Sequence, residues 1–297
     1  MQLVYAMETT TEEKDINDPV KKLQQSLSQT TALFFYLVYF LTETASYAET
    51  DAKLRASKNI VTEGDLNVNI KIAGNDLLWK IKENPSYKKN VENFRPFEDT
   101  TEMIKRVYTC LLNSDLYKQY INTSGREKND EREILKFIFT DLMLPDEIFV
   151  SHIEDHFTNW DDDAEMINLL MLNFLQKPST FKLDEVLGQE KWKFAKNLLV
   201  TVVEKKDYVS EIIKPKLKNW DADRIAAVDM ILMQMGVCEF LYFETIPPKV
   251  TINEYIDIAK EYSTPQSGHF VNGILDGIHK ELLLQNKIHK IDFKQNK

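Results

Sequence analysis

One stretch of this chain, residues 225–243, is apolar on nearly every side of the helix that it would form. It reads IAAVDMILMQMGVCEFLYF, and its main polar interruptions are Asp229, Gln234 and Glu239. A helix on a protein surface keeps one polar face, whereas a helix that is apolar all round is buried among other elements. The stretch therefore predicts the central helix of a bundle.

Glycine and proline are scarce, with eight glycines and nine prolines in 297 residues. Because these residues interrupt helices, their scarcity predicts long helical segments. Residues 21–47 contain neither and predict one long helix, and residues 191–217 predict another, with a break near residues 206–208 or at Pro215. Residues 66–74 (LNVNIKIAG) come closest to the alternation of a strand and stay ambiguous. The predicted fold class is all-α.

The net charge is −10, from 47 acidic and 37 basic residues. This argues against a general nucleic-acid binder, whose affinity rests on many Lys and Arg contacts to phosphate, but it does not exclude a local RNA site. The apolar run at residues 31–41 is too short to span a bilayer, and the N-terminus lacks the pattern of a signal peptide. Cys110 and Cys238 are far apart and unpatterned, which favours a reducing, cytoplasmic location.

Two more helices are predicted near the C-terminus. Thr251 with Glu254 three residues later has the pattern of a capping box. Thr264 followed by Pro265 is typical of a cap and first turn. The last eighteen residues, 280–297, carry five lysines and predict a frayed, solvated tail.

The final predicted helix contains three glycines, Gly268, Gly273 and Gly277, although each interior glycine costs about 0.5–1 kcal/mol against alanine. On a helical wheel Phe270 lies beside the last two. One interpretation is structural, with the glycines admitting a neighbouring helix and Phe270 filling the seam. The other is functional, with the helix N-terminus accepting phosphate and Phe270 stacking on an unpaired base.

The string IPPKVTINEYIDIAKEYSTPQSGHFVNGILDGI closely resembles the C-terminal signature of the bacterial transcription antitermination factor NusB family. Upstream, NWDADRIAAVDMILMQMGVCEFLY resembles the buried helix of that family, and FAKNLLVTVV resembles the helix before it. The similarity covers residues 191–284. The N-terminal MQLVYA resembles the close of the family's first helix.

This resemblance implies an all-helical RNA-binding adaptor that is not an enzyme and needs no cofactor or metal. Its partners would be single-stranded boxA-like RNA, a ribosomal protein of the NusE type and the RNA polymerase antitermination complex. No membrane association is expected, and a homodimer is possible. The implied RNA-binding residues are Gln2, Tyr5, Gln266, Ser267, Gly268 and Phe270, through their side chains or the free amides of the last helix. Further signature positions are Asn253, Glu254, Asn272, Gly273 and Asp276.

The chain departs from the family in three respects. The Arg-rich stretch that precedes the family's Q-x-L-Y is absent before Gln2, and Gln266 stands where the family often has an acidic residue. The chain is also about twice the family's usual length. We therefore expect N-terminal bundle helices at residues 1–50, an inserted helical region of unknown role at 51–188, the NusB-like helices at 189–285, and the basic tail at 286–297.

Other functions were weighed. His152 and His156 have an i, i+4 spacing that can hold zinc, but no third ligand is evident from the sequence, and a solvated helix face is the preferred interpretation. A protein scaffold that has lost RNA binding is the main alternative function. An accessory RNA-recognition module related to ribosomal RNA methyltransferases is less favoured, because no Gly-rich cofactor loop is present.

Overall fold

The computed structural model describes residues 1–9, 18–92, 94–182, 188–217 and 225–291. Within these ranges every regular element is helical, as predicted, and the ambiguous residues 66–74 contain a 3₁₀ turn at Lys71–Gly74 instead of a strand. Cys110 and Cys238 are both free thiols. No helix in the described ranges is both long and apolar enough to cross a membrane.

The chain divides into two compact units. Unit 1 comprises Met1–Gln25 and Gln189–Lys297, and unit 2 comprises Ser26–Gly188. Residues 26–50, which the sequence patterns placed with the N-terminal bundle helices, thus belong to unit 2. The reason is packing: Leu33, Tyr36 and Phe40 are buried among the residues of the unit 2 core.

Unit 2 contains the following helices in chain order: α2 (Pro19–Ala56, which begins in unit 1), α3 (Glu63–Leu66), α4 (Asp76–Glu83), α5 (Pro85–Val91), α6 (Thr100–Asn113), α7 (Asp115–Asn122), α8 (Lys128–Phe137), α9 (Glu147–His156) and α10 (Trp160–Gln176). A π-helical turn at Ile138–Met143 follows α8 directly. The predicted long helix at residues 21–47 is confirmed as part of α2. Its aromatic side chains contribute much of the unit 2 core.

Unit 1 is built from α1 (Gln2–Thr9), α11 (Gln189–Ile213), α12 (Ala227–Tyr242), α13 (Pro248–Tyr262) and α14 (Ser267–Leu284). A 3₁₀ turn at Lys214–Leu217 ends α11, so the predicted break lies at Pro215 and α11 continues unbroken through residues 206–208. α12 packs against α1, α11, α13 and α14. Its ten residues from Ile231 to Phe240 are all buried, which confirms the predicted central helix.

One close helix contact in unit 1 depends on a glycine that the sequence analysis did not single out. A Cβ atom built on Gly236 in α12 would lie 2.9 Å from Leu275 Cδ2 in α14 and 3.3 Å from Tyr255 Cδ2 in α13. Real Cβ atoms do not approach side chains that closely, so Gly236 sets the spacing at which α13 and α14 pack on the central helix.

Candidate nucleic-acid interface

The last helix, α14, buries the stripe that its sequence predicts. Val271, Ile274, Leu275, Ile278 and Leu282 are all buried in the unit 1 core. Asn272 and Gly273 are exposed, and Phe270 is half-buried and packs partly against that core. The helix therefore presents a flank beside Phe270 that is open to solvent.

That flank distinguishes the two interpretations of its glycines. A Cβ atom on Gly273 or Gly277 would have no neighbouring atom within 4 Å in the described part of the chain. No other described helix packs closely against these two positions, so they do not admit a neighbouring helix from the described part of the chain. Gly268 differs, because its Cβ would lie 3.1 Å from Lys260 Cγ in α13.

Ser267 lies inside the protein. Its side chain is buried and its hydroxyl donates to Asp229 Oδ2 of α12 at 2.7 Å. The same Oγ accepts a hydrogen bond from the Thr264 amide at 3.2 Å and contacts Thr264 Oγ1 at 2.8 Å. The Ser267 side chain thus ties the start of α14 to the central helix, and it has no exposed surface to offer a ligand.

The first-turn amides also differ from the expectation. The Ser267 amide donates to the Thr264 carbonyl at 2.9 Å, so it is not a free donor, and Gly268 is buried. The helix begins at Ser267, with Gln266 as its N-cap, instead of at Thr264. Gln266 itself is exposed, and its carbonyl accepts the Phe270 amide at 3.1 Å. Of the predicted α14 contacts, the Gln266 side chain and the Phe270 ring reach the surface.

Gln2 and Tyr5 lie on α1, where Val4 is buried against the unit 1 core. Both side chains are exposed, and Tyr5 has 39% of its surface accessible. α1 and α14 each pack against α12. The predicted contact residues at the two ends of the chain are thus carried by helices that share one central partner.

The predicted capping box at Thr251 is wrong. α13 begins at Pro248, which places Thr251 within the helix, where its hydroxyl donates to Glu239 Oε2 of α12 at 2.8 Å. Tyr255 donates its hydroxyl to Glu239 Oε1 at 2.6 Å. Two hydroxyls thus satisfy the buried carboxylate that interrupts the central helix. Sequence reasoning missed this pairing, because it joins residues on different helices.

The other signature residues face solvent. Asn253 and Glu254 are exposed on α13. Asp276 accepts an exposed hydrogen bond from Lys280 Nζ at 2.6 Å on α14. None of these three side chains contributes to the buried core of unit 1.

The described part of the basic tail contacts the C-terminal end of α12. Lys290 Nζ donates to the carbonyls of Glu239 and Phe243 at 2.8 and 2.7 Å, at the end of α12. These carbonyls also accept the Phe243 and Ile246 amides, each at 3.2 Å, and a cation beside the last turn interacts favourably with the helix dipole. The expectation of a frayed tail is wrong for residues 280–284, which lie in α14, and for Lys290 and Ile291. The Ile291 amide donates to the Glu244 carbonyl at 3.0 Å. Residues 292–297 lie outside the described residues.

Burial raises the pKa of Glu239 above its ordinary value of 4.5, although the hydrogen bonds from Tyr255 and Thr251 and the charge of Lys290 act in the opposite direction. The folded state therefore binds this proton more tightly than the unfolded state does. The resulting stabilisation is fully present below pH 4.5 and is lost as the pH rises through the folded-state pKa.

A Glu239→Gln substitution removes this titration. We expect the stability of the variant relative to the wild type to increase as the pH rises above the ordinary glutamate pKa, because glutamine leaves no buried charge. Hydrogen exchange of α12 and α13 peptides across that pH range would measure the difference. A difference that does not change with pH would contradict the assignment.

The NusB family model matches residues 157–280, which include α11 to α13 and most of α14. This C-terminal part therefore carries a NusB family domain. The transcription antitermination protein NusB of Salinibacter ruber is 44% identical over 97 residues, which are 33% of this chain and 61% of that protein. The protein of the same name from Methylacidiphilum infernorum is 44% identical over 32% of this chain and 66% of its own length.

The chain therefore spans somewhat less than two thirds of the length of these curated relatives. A solved structure of T. maritima NusB aligns at 33% identity over 43% of this chain and 83% of that chain, with a TM-score of 0.31. The similarity to NusB proteins thus rests on sequence. Of unit 2, residues 157–188 lie within the family match and residues 26–156 lie outside it.

Proposed function

We propose that the protein is a non-catalytic transcription antitermination factor whose unit 1 binds boxA-type single-stranded RNA. The observation that carries this proposal is the match of residues 157–280 to the NusB family, together with relatives named transcription antitermination proteins. A ribosomal protein of the NusE type would be its partner, within an RNA polymerase antitermination complex.

The exposed surface of unit 1 supports this proposal chemically. Tyr5 and Phe270 supply aromatic rings on which unpaired bases can stack. Gln2 and Gln266 are exposed amides that can both donate to and accept from base edges. The open backbone at Gly273 and Gly277 lets a strand lie close to α14 beside Phe270.

The net charge of the chain bears on which interactions would give RNA affinity. The chain carries a net charge of −10. Affinity would therefore come mainly from stacking and hydrogen bonds, and we expect binding to weaken only modestly with salt. The ribosomal protein would supply part of the phosphate contacts.

The test is a titration of the full chain with labelled boxA-like RNA and a scrambled control, with and without the ribosomal protein, at two salt concentrations. We expect Phe270→Ala to weaken selective binding by about 1–3 kcal/mol through loss of stacking. Because Phe270 also packs against the core, Phe270→Leu is the matched control: it keeps apolar packing but removes the ring, so it should lose most of the same affinity. Tyr5→Ala tests α1 independently.

Two outcomes would count against the proposal. If the wild-type protein bound boxA-like RNA and scrambled RNA equally well, the proposed RNA-binding function would be contradicted. If the ribosomal protein still bound in that case, the scaffold alternative would replace it. Full affinity in Phe270→Leu would instead move the RNA contact away from α14.

A further inference from the structure

The candidate RNA-binding residues belong to unit 1, whereas unit 2 contains a cluster of side chains that could ligate a metal ion. His152 and His156 lie one turn apart on α9, and Asp99 immediately precedes α6. One potential ligand atom from each of the three residues lies within 4.8 Å of the others. The tertiary structure thus supplies the third ligand that the sequence did not reveal.

The contacts in this cluster converge on the Asp99 carboxylate. Its Oδ2 lies 2.7 Å from His152 Nδ1, and its Oδ1 lies 3.6 Å from His156 Nε2. In a tetrahedral zinc site the ligand atoms lie about 2.0–2.2 Å from the ion, hence about 3.4 Å from one another. The two distances involve different oxygens of one carboxylate, and either oxygen can bind a metal ion. The second distance already suits a shared ion, and the first would need to open by less than about 1 Å.

The histidine rings are held in place by their surroundings. His152 is buried, which corrects the expectation of a solvated helix face for this residue. Its Nε2 forms a short hydrogen bond with the Tyr36 hydroxyl, which also contacts Thr100 Oγ1 at 3.2 Å. The ring of His156 stacks on Phe97 at a centroid distance of 3.7 Å.

Such outer contacts are typical of metal sites, in which the second nitrogen of a ligating histidine is hydrogen-bonded and fixes the ring orientation. An ionised Asp99 only accepts hydrogen bonds, so Nδ1 of His152 carries the ring proton in the metal-free protein. With an ion on Nδ1, the proton would move to Nε2, where the Tyr36 oxygen can accept it.

We propose that Asp99, His152 and His156 bind one divalent first-row transition-metal ion, with zinc as the best match. Two imidazoles and one carboxylate suit Zn²⁺ or Co²⁺, whereas Mg²⁺ and Ca²⁺ prefer sites made of oxygen. The Asp99 side chain is 53% exposed and that of His156 is 29% exposed, so solvent can reach the site and occupy a fourth coordination position. The ion would join α9 to the start of α6.

The experiment uses the full chain without an affinity tag, treated with chelator and titrated with Co²⁺, then with Zn²⁺ in competition. We expect one ion per chain, visible absorption bands of tetrahedral Co²⁺, and their loss on adding Zn²⁺. His156→Ala and Asp99→Asn should each weaken binding by more than about 100-fold. Both side chains are partly exposed, so these variants should remain folded, which circular dichroism verifies.

His269→Ala is the matched control, because His269 is an exposed histidine in unit 1, and it should leave Co²⁺ binding unchanged. Zn²⁺ should also slow hydrogen exchange in α9 of the wild type but not of His156→Ala. The proposal is overturned if the wild type shows no saturable 1:1 binding. It is equally overturned if His156→Ala and Asp99→Asn bind as tightly as the wild type.

Discussion

Replacing Gly236 with valine is expected to destabilise the helices of unit 1 by about 2–4 kcal/mol. A Cβ atom at this position would lie 2.9 and 3.0 Å from the two methyl carbons of Leu275 and 3.3 Å from Tyr255 Cδ2. Valine adds two further carbons, and Val237 and Cys238 beside it are fully buried. Overpacking must therefore push α14 or α13 away from the central helix.

Hydrogen exchange of α12, α13 and α14 peptides would measure this effect, because it reports the stability of these helices separately from unit 2. The matched control is Gly273→Ala on α14. A Cβ atom there meets nothing within 4 Å in the described residues, so alanine should stabilise the helix by about 0.4–1 kcal/mol. Equal effects of the two substitutions would show that Gly236 does not set the helix spacing.

Replacing Glu131 with alanine is expected to destabilise unit 2 by about 2–4 kcal/mol. The Glu131 carboxylate is buried and accepts hydrogen bonds from the Tyr120 hydroxyl at 2.7 Å and the Asp76 amide at 2.7 Å. Arg126 Nη1 lies 3.2 Å from the same carboxylate. Its removal leaves all three donors without this acceptor, and because Arg126 is one-third exposed, we place the loss below that of a fully buried ion pair.

Exchange rates of α4, α7 and α8 peptides would measure the loss. Glu133→Ala is the control two residues away, since Glu133 is 56% exposed and forms only a surface ion pair with Lys136. Glu131→Gln should fall between the two, because its amide oxygen can keep one of the donors. A Glu131→Ala variant as stable as Glu133→Ala would contradict the role assigned to this carboxylate.

The aromatic residues of α2 and the glycine of α12 illustrate what patterns in the sequence could and could not predict. The helical character of residues 21–47 and 225–243 follows from local composition, because missing glycine and proline and a continuous apolar run act within one segment. The boundary between the two units at residue 25 could not be predicted from local composition, because it depends on which of the two hydrophobic cores buries the apolar face of α2. Both cores are apolar, so the pattern is the same for either.

The candidate site divides in the same way. Exposure of Gln2, Tyr5 and Gln266 agrees with their place on the predicted helix surfaces. Ser267 was predicted to contact RNA and Thr251 to cap its helix, but the sequence did not reveal their buried contacts. A hydroxyl near a helix start can either cap its own helix or donate to a carboxylate on another helix. In this fold they contact Asp229 and Glu239, the two acidic residues within the central helix.

The sequence by itself determined that the chain is helical, that α12 is central and that the C-terminal signature is of the NusB type. These conclusions depend on residues that are close in the chain, where spacing fixes geometry. The tertiary structure alone decided that Gly236 is the close contact, that Lys290 caps α12 and that Asp99 joins His152 and His156. These contacts join different segments of the chain, as for Gly236 and Leu275, which are 39 positions apart, and which distant groups meet is set by how the helices pack.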